Sequence, residues 1–144
     1  VSTGDDLLTV NSSITQLMRR IRRVDEAQGV GRARLSALAV LYFGGSCSPS
    51  ELAAQEMVSR ATMHHVLKGL EADGYVVRRE DPDDARRQVV QLTRLGTRTI
   101  RRAHRARIDY YALLARGVSA EDLAVTARTL DTLRRNARER GTEA

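Results

Sequence analysis

Aromatic side chains are scarce in this sequence: four tyrosines, one phenylalanine and no tryptophan among 144 residues. A core built without them must be aliphatic, which suits helices packed on helices. Cys47 is the only cysteine, so no intramolecular disulfide is available and a reducing cytoplasm is the expected compartment. Apolar runs stay well short of the roughly 18 residues of a membrane span, and the N-terminus carries no signal-peptide pattern. No membrane partner is expected. Catalytic signatures are missing too: there is no GxSxG, no HExxH, no P-loop and no glycine-rich phosphate cradle after a strand. Neither an enzyme nor a cofactor is expected.

What is present is aliphatic and cationic. Hydrophobic residues make up 42% of the chain, enough for a single domain over residues 1–144 to bury a core without disulfides or metals. The formal net charge is +6, and it is unevenly placed. Residues 59–107 hold Lys68 and eleven arginines against six acids, whereas residues 1–58 and 108–144 each balance six against six. An excess confined to one segment points to an anionic partner there. A solvated arginine-rich surface is the plainer alternative.

The stretch Ser59–Thr93 carries the pattern around which the rest is arranged. Met63, Val66, Leu67 and Leu70 recur at helical spacing as one apolar stripe, while Ala61, Thr62, His64, His65 and Lys68 occupy the other face. Gly74 supplies a left-handed stop. The period then shortens to two along Tyr75–Arg79 and Gln88–Leu92, predicting two strands joined by a charged loop from Glu80 to Arg87. Upstream, Ser48-Pro49-Ser50-Glu51 is a compact helix start. Ser48 can cap, Pro49 takes the first helical position and Glu51 can reach back to the cap amide. A short helix from Pro49 to about Glu56, a Met57-Val58 turn and a second helix capped by Ser59 make a helix-turn-helix, and the hairpin makes its wing. Cys47 falls in the extended connection before Ser48, placed to pair weakly with the hairpin.

Four longer helices surround this stretch. The first runs from Asp5 to about Glu26, with Asp5 and Asp6 favouring the dipole at its start. Its stripe of Ile14, Leu17, Met18 and Ile21 needs a partner, either the C-terminal helices or a second subunit. Ala33–Phe43 forms the second, with Leu35, Leu38, Ala39 and Tyr42 on one face and Gly44-Gly45 ending it. Thr93 caps a third that reaches about Arg116, arginine-rich in its first half and apolar and aromatic in its second. Ser119 caps the last, which carries Leu123, Ala127, Leu130, Leu133 and Ala137. The expected fold class is mainly α with one short β hairpin.

Three motifs stand out together: Ser48-Pro49-Ser50-Glu51-Leu52-Ala53, then Leu70-Glu71-Ala72-Asp73-Gly74-Tyr75-Val76-Val77-Arg78-Arg79, and Asp84-Ala85-Arg86 leading into Leu92-Thr93-Arg94-Leu95-Gly96. In this combination the chain resembles the MarR family of bacterial winged helix-turn-helix transcriptional regulators. The resemblance covers nearly its whole length and is strongest between Leu35 and Gly96. It implies a homodimer with residues 33–92 as the DNA-binding core and residues 5–28 and 93–140 as the helical dimerisation region. It implies further a repressor of promoter DNA, bound at a pseudo-palindromic operator and released by a small-molecule effector, a metal or an oxidant.

Carried over by position, the base-reading role falls on Ala61, Thr62 and His65, with Arg60, His64 and Lys68 flanking. The chemistry agrees: Ala61 and the Thr62 methyl can meet thymine methyls, and His65 can donate to guanine N7 or O6. Arg86 resembles the wing arginine that enters the minor groove, where narrow walls concentrate negative potential. Asp84 would hold its guanidinium by a bidentate pair. Where many relatives have a basic residue between these two, this chain has Ala85, and Arg87 follows as a second candidate. The plain alternative for Asp84 and Arg86 is a surface ion pair worth about 0–1 kcal/mol. Tyr42, Tyr110 and Tyr111 are candidates for an effector pocket, with core or interface packing as their alternative. His64 and His65 diverge by about 100° on a helix, so they cannot chelate one ion together, and no metal ligand is assigned. Cys47 reads as an inert thiol. A metal- or redox-sensing regulator of the same fold, or a winged helix used for protein docking or DNA architecture, are the competing functions.

Overall fold

The computed structural model describes residues 3–141. Its elements follow in the order α1 (Thr3–Glu26), α2 (Arg32–Gly44), α3 (Pro49–Gln55), α4 (Arg60–Ala72), β1 (Val76–Glu80), β2 (Gln88–Leu92), α5 (Arg94–Leu114) and α6 (Ala120–Gly141). The fold is mainly α with one antiparallel hairpin, in which Val76 faces Leu92 and Glu80 faces Gln88. The chain divides into two compact units, Val1–Ile108 and Asp109–Ala144, with α5 continuing from the first into the second. Among the described residues no helix is long and apolar enough to cross a membrane.

The core of the first unit is aliphatic. Leu35 and Leu38 of α2, Leu52 of α3, Leu67 and Leu70 of α4, Val76 of β1 and Val90 of β2 are all fully buried. The stripe on α4 is therefore the face that packs, with Met63 also buried and Val66 half-buried against the same cluster. Cys47 forms a one-residue bridge to the hairpin, its carbonyl accepting the Val90 amide at 2.8 Å. This is the weak pairing its extended segment predicts.

The hairpin is fastened to α5 by the Leu-Thr-x-x-Gly motif. The Thr93 hydroxyl donates to the Gly74 carbonyl at 2.6 Å and accepts the Gly96 amide at 3.0 Å, so one side chain caps α5 and ties it to the start of the wing. Gly96 comes so close to β1 that a Cβ there would lie 2.0 Å from the Tyr75 carbonyl oxygen. No other residue fits. Gly74, with φ +76°, provides the left-handed stop after α4.

At the end of α1 the Asp25 side chain is 6% exposed. It is satisfied by both arms of the Arg107 guanidinium, Nε and Nη2 each donating at 2.6 Å. Earlier on α1 the apolar stripe is uncovered: Leu7, Leu8, Ile14, Leu17 and Met18 are exposed, and only Ile21 of that stripe is buried. In the second unit Leu123, Leu130 and Leu133 of α6 are likewise exposed.

Candidate nucleic-acid interface

Local sequence sets the two helices of the helix-turn-helix. Ser48 and Glu51 form a reciprocal cap, the Ser48 hydroxyl accepting the Glu51 amide at 3.2 Å and Glu51 Oε2 accepting the Ser48 amide at 2.8 Å. Between the helices Met57 holds a left-handed backbone, φ 53°, and is 91% exposed. Ser59 then caps α4, accepting the Thr62 amide at 3.0 Å and donating to Thr62 Oγ1 at 2.9 Å.

With Met63, Leu67 and Leu70 turned into the core, the opposite face of α4 is left to solvent. Arg60, Ala61, Thr62, His64, His65 and Lys68 are all exposed. They lie on a helix of 13 residues, roughly 20 Å long at 1.5 Å per residue, of a diameter the major groove admits. Every residue that the sequence nominated on this helix is thus available to a partner.

In the wing the loop is a nest of turns. The Asp81 amide donates to the Arg87 carbonyl at 2.8 Å, and the Arg87 amide to the Asp84 carbonyl at 2.9 Å. Asp84 does brace the loop, but through the main chain: its Oδ1 accepts the Arg86 amide at 3.0 Å. The expected pair between the Asp84 carboxylate and the Arg86 guanidinium is replaced by this turn, because an aspartate two residues before an amide closes an Asx turn locally. Among the described residues Arg86 is exposed and in no ion pair. Arg87 is engaged, its Nη2 paired with Glu51 Oε1 on α3 and its Nε 3.6 Å from Asp81 Oδ2.

These contacts shape the local titration. The Ser48 amide, and after it the Arg87 guanidinium, hold the Glu51 carboxyl below its ordinary 4.5. Burial, reinforced by the Glu51 charge, pushes the Cys47 thiol above its ordinary 9.0 and keeps it protonated at neutral pH. Protonation makes it a poor nucleophile.

Not all of the cationic excess faces outward. Arg78 is bonded to Glu71 at 2.8 Å, Arg87 to Glu51, and Arg107 to Asp25. No sequence signal announced these pairs, whose members come from different elements. A hollow of about 480 Å³ is lined by Tyr42 with Arg101, Arg102, His104, Arg105 and Ile108. Beside it the Phe43 ring stands edge-on to Tyr42 and to His104, at centroid distances of 5.0 and 5.3 Å. Tyr42 thus lines a cavity, while Tyr110 (half-buried) and Tyr111 (exposed) belong to the second unit. Among the described residues no group of three or more His, Cys, Asp and Glu could hold a metal ion.

Residues 28–87 match the family model described as MarR family. The chain is 31% identical over 100 residues to Mb0904, an HTH-type transcriptional regulator of Mycobacterium bovis, covering 69% of this chain and 70% of that protein. A MarR family protein from Bacillus stearothermophilus superposes with a TM-score of 0.82 at 17% identity, over 95% of this chain and 99% of that one. Streptococcus pneumoniae FabT, solved in complex with DNA, gives 0.76 at 21% identity, over 92% and 98%. At these identities the structural likeness establishes the fold.

Proposed function

The chain belongs to the MarR family of transcriptional regulators and carries its DNA-binding winged helix, and from that premise we propose that it is a cytoplasmic homodimeric repressor released by a small-molecule effector. The observation that carries the reading is the division of α4. One face buries Met63, Leu67 and Leu70 with Val66 half-buried beside them, and the other presents six short, polar or cationic side chains to solvent. In this reading Ala61 and Thr62 meet thymine methyls, His65 reads a guanine, and Arg60, His64 and Lys68 serve phosphates and neighbouring bases. Arg86, at the tip of a loop shaped by Asp84, enters the minor groove.

Residues 33–92 form the DNA-binding core, and residues 5–28 and 93–140 the dimerisation region. Support comes from the apolar side chains these helices leave uncovered, Leu7, Leu8, Leu17, Met18, Leu123, Leu130 and Leu133 among them. So much exposed apolar surface marks an interaction site. A two-fold dimer calls for a pseudo-palindromic operator, and a dimer seated on promoter DNA represses by occupying it. The cavity at Tyr42, with Arg101, Arg102 and His104 around it, suits an acidic aromatic effector, and its volume is in the range of small-molecule sites. Tyr110 and Tyr111 are effector candidates on sequence grounds alone.

Selection of bound duplexes from a genomic fragment pool tests the reading and yields the operator. Arg86→Ala should then weaken operator binding by about 1–3 kcal/mol while the protein stays folded. Unchanged affinity in a gel-shift titration would remove the wing from the interface.

A further inference from the structure

We infer that Glu51 and Arg87 form a latch that positions the wing against the helix-turn-helix, so that Arg86 alone is delivered to the minor groove. The inference rests on the DNA-binding reading above and deepens it. Glu51 divides its two oxygens: Oε2 closes the cap on the Ser48 amide at 2.8 Å, and Oε1 takes Arg87 Nη2. One carboxylate therefore serves both the start of α3 and the base of the wing loop. Arg87 is held through both main chain and side chain. Its amide and carbonyl close the loop turns on Asp84 and Asp81, and its Nε is 3.6 Å from the Asp81 carboxylate. Three residues further along the strand, the Val90 amide is held by the Cys47 carbonyl at 2.8 Å. The short segment from Cys47 to Glu51 thus grips the wing at two points, the second strand by main chain at Val90 and the loop just before it by side chain at Arg87.

A lone two-stranded hairpin is marginal in water, and ordering a mobile tip on binding costs conformational entropy. A latch made before binding removes part of that cost, which is how pre-organisation raises affinity. An exposed ion pair adds little to folding, so the contribution of this one is to wing orientation. The chain has Ala85 between Asp84 and Arg86, and its second basic residue stands at 87, the position that meets α3. Arg87 is accordingly a positioning residue, acting through Arg86.

The test is a double-mutant cycle on the full chain with the selected operator duplex, comparing Arg86→Ala, Arg87→Gln and the double variant, alongside Glu51→Gln. Glutamine at 51 keeps an oxygen for the Ser48 amide and loses the charge that holds Arg87. Arg87→Gln and Glu51→Gln should each lower affinity several-fold and weaken hydroxyl-radical protection of the minor groove at the wing, with little change in melting temperature. Arg87→Gln should add nothing in the Arg86→Ala background. The slope of log affinity against log salt should also stay unchanged, whereas loss of a direct phosphate contact would reduce it by about 0.9. Additive effects, a reduced slope, or a silent Arg87→Gln beside a damaging Arg86→Ala overturn the latch alone. A silent Arg86→Ala overturns the wing reading on which it rests.

Discussion

Met57 keeps its backbone at φ 53° while its side chain is 91% exposed, so the left-handed turn gains nothing from packing that side chain. The conformation costs an L-residue about 1–2 kcal/mol, and the extra unfolded-state freedom of glycine offsets about 0.5–1 kcal/mol of any relief. Met57→Gly should therefore stabilise the protein by about 0.5–1 kcal/mol, read from the midpoint of urea unfolding at constant slope. Glu51 offers a second measurement. Its folded pKa lies below 4.5, so its contribution is complete above that value and is lost as pH falls through the lowered one. An NMR titration of its side-chain carboxyl should give a midpoint below 4.5. In Arg87→Gln the midpoint should rise but stay below 4.5, because the Ser48 amide is the larger cause. A midpoint unmoved by that substitution would mean that the ion pair does not persist in solution.

Between elements the decisive contacts are few. Gly96→Ala sets a methyl against the Tyr75 carbonyl, where the main chain itself must yield. Overpacking of this kind costs about 1–3 kcal/mol, and chemical denaturation should show a loss of that size. Asp25 and Arg107 join α1 to α5. Breaking an enclosed pair costs about 3–5 kcal/mol, but the Arg107 side chain is 39% exposed and solvent screens part of the loss. Arg107→Ala should then cost about 2 kcal/mol, and adding Asp25→Asn should recover some of it; a double variant less stable than the single would show that the carboxylate has another essential partner. These contacts mark where sequence reading stops. The helices, the caps at Ser48 and Ser59, the stop at Gly74 and both strands were legible because each depends on residues within one or two turns. The partners of Arg87 and Arg107 were not, since periodicity says which face is polar and nothing about which acid another element brings to it. The side-chain pair expected between Asp84 and Arg86 gives way to a main-chain bond, because the nearby amide of Arg86 competes with its guanidinium for the same carboxylate.

At the scale of the whole molecule two features ask for one explanation. The cationic excess sits wholly in residues 59–107, while the flanking segments 1–58 and 108–144, which hold α1 and α6, balance six charges against six and carry uncovered leucines. A monomer would leave those leucines in water, each forgoing about 1.5–3 kcal/mol of burial. A dimer that covers several of them per chain can exceed the rotational and translational cost of association, about 4–15 kcal/mol. Sedimentation equilibrium should therefore report a dimer at micromolar concentration. Leu130→Arg, which places a charge on an exposed position of α6, should leave helical circular dichroism intact and shift the protein toward monomer. If the pseudo-palindrome is read by two linked wings, the same variant should lose most of its preference for a full operator over a half-site, since two sites bound by independent monomers lack the effective concentration a dimer supplies. The wild-type preference should fall with added salt far less than the affinity does, because phosphate contacts govern the latter in both duplexes. A Leu130→Arg protein that sediments as a dimer would take α6 out of the interface. A true monomer that still favoured the full operator as strongly as wild type would separate operator symmetry from dimerisation.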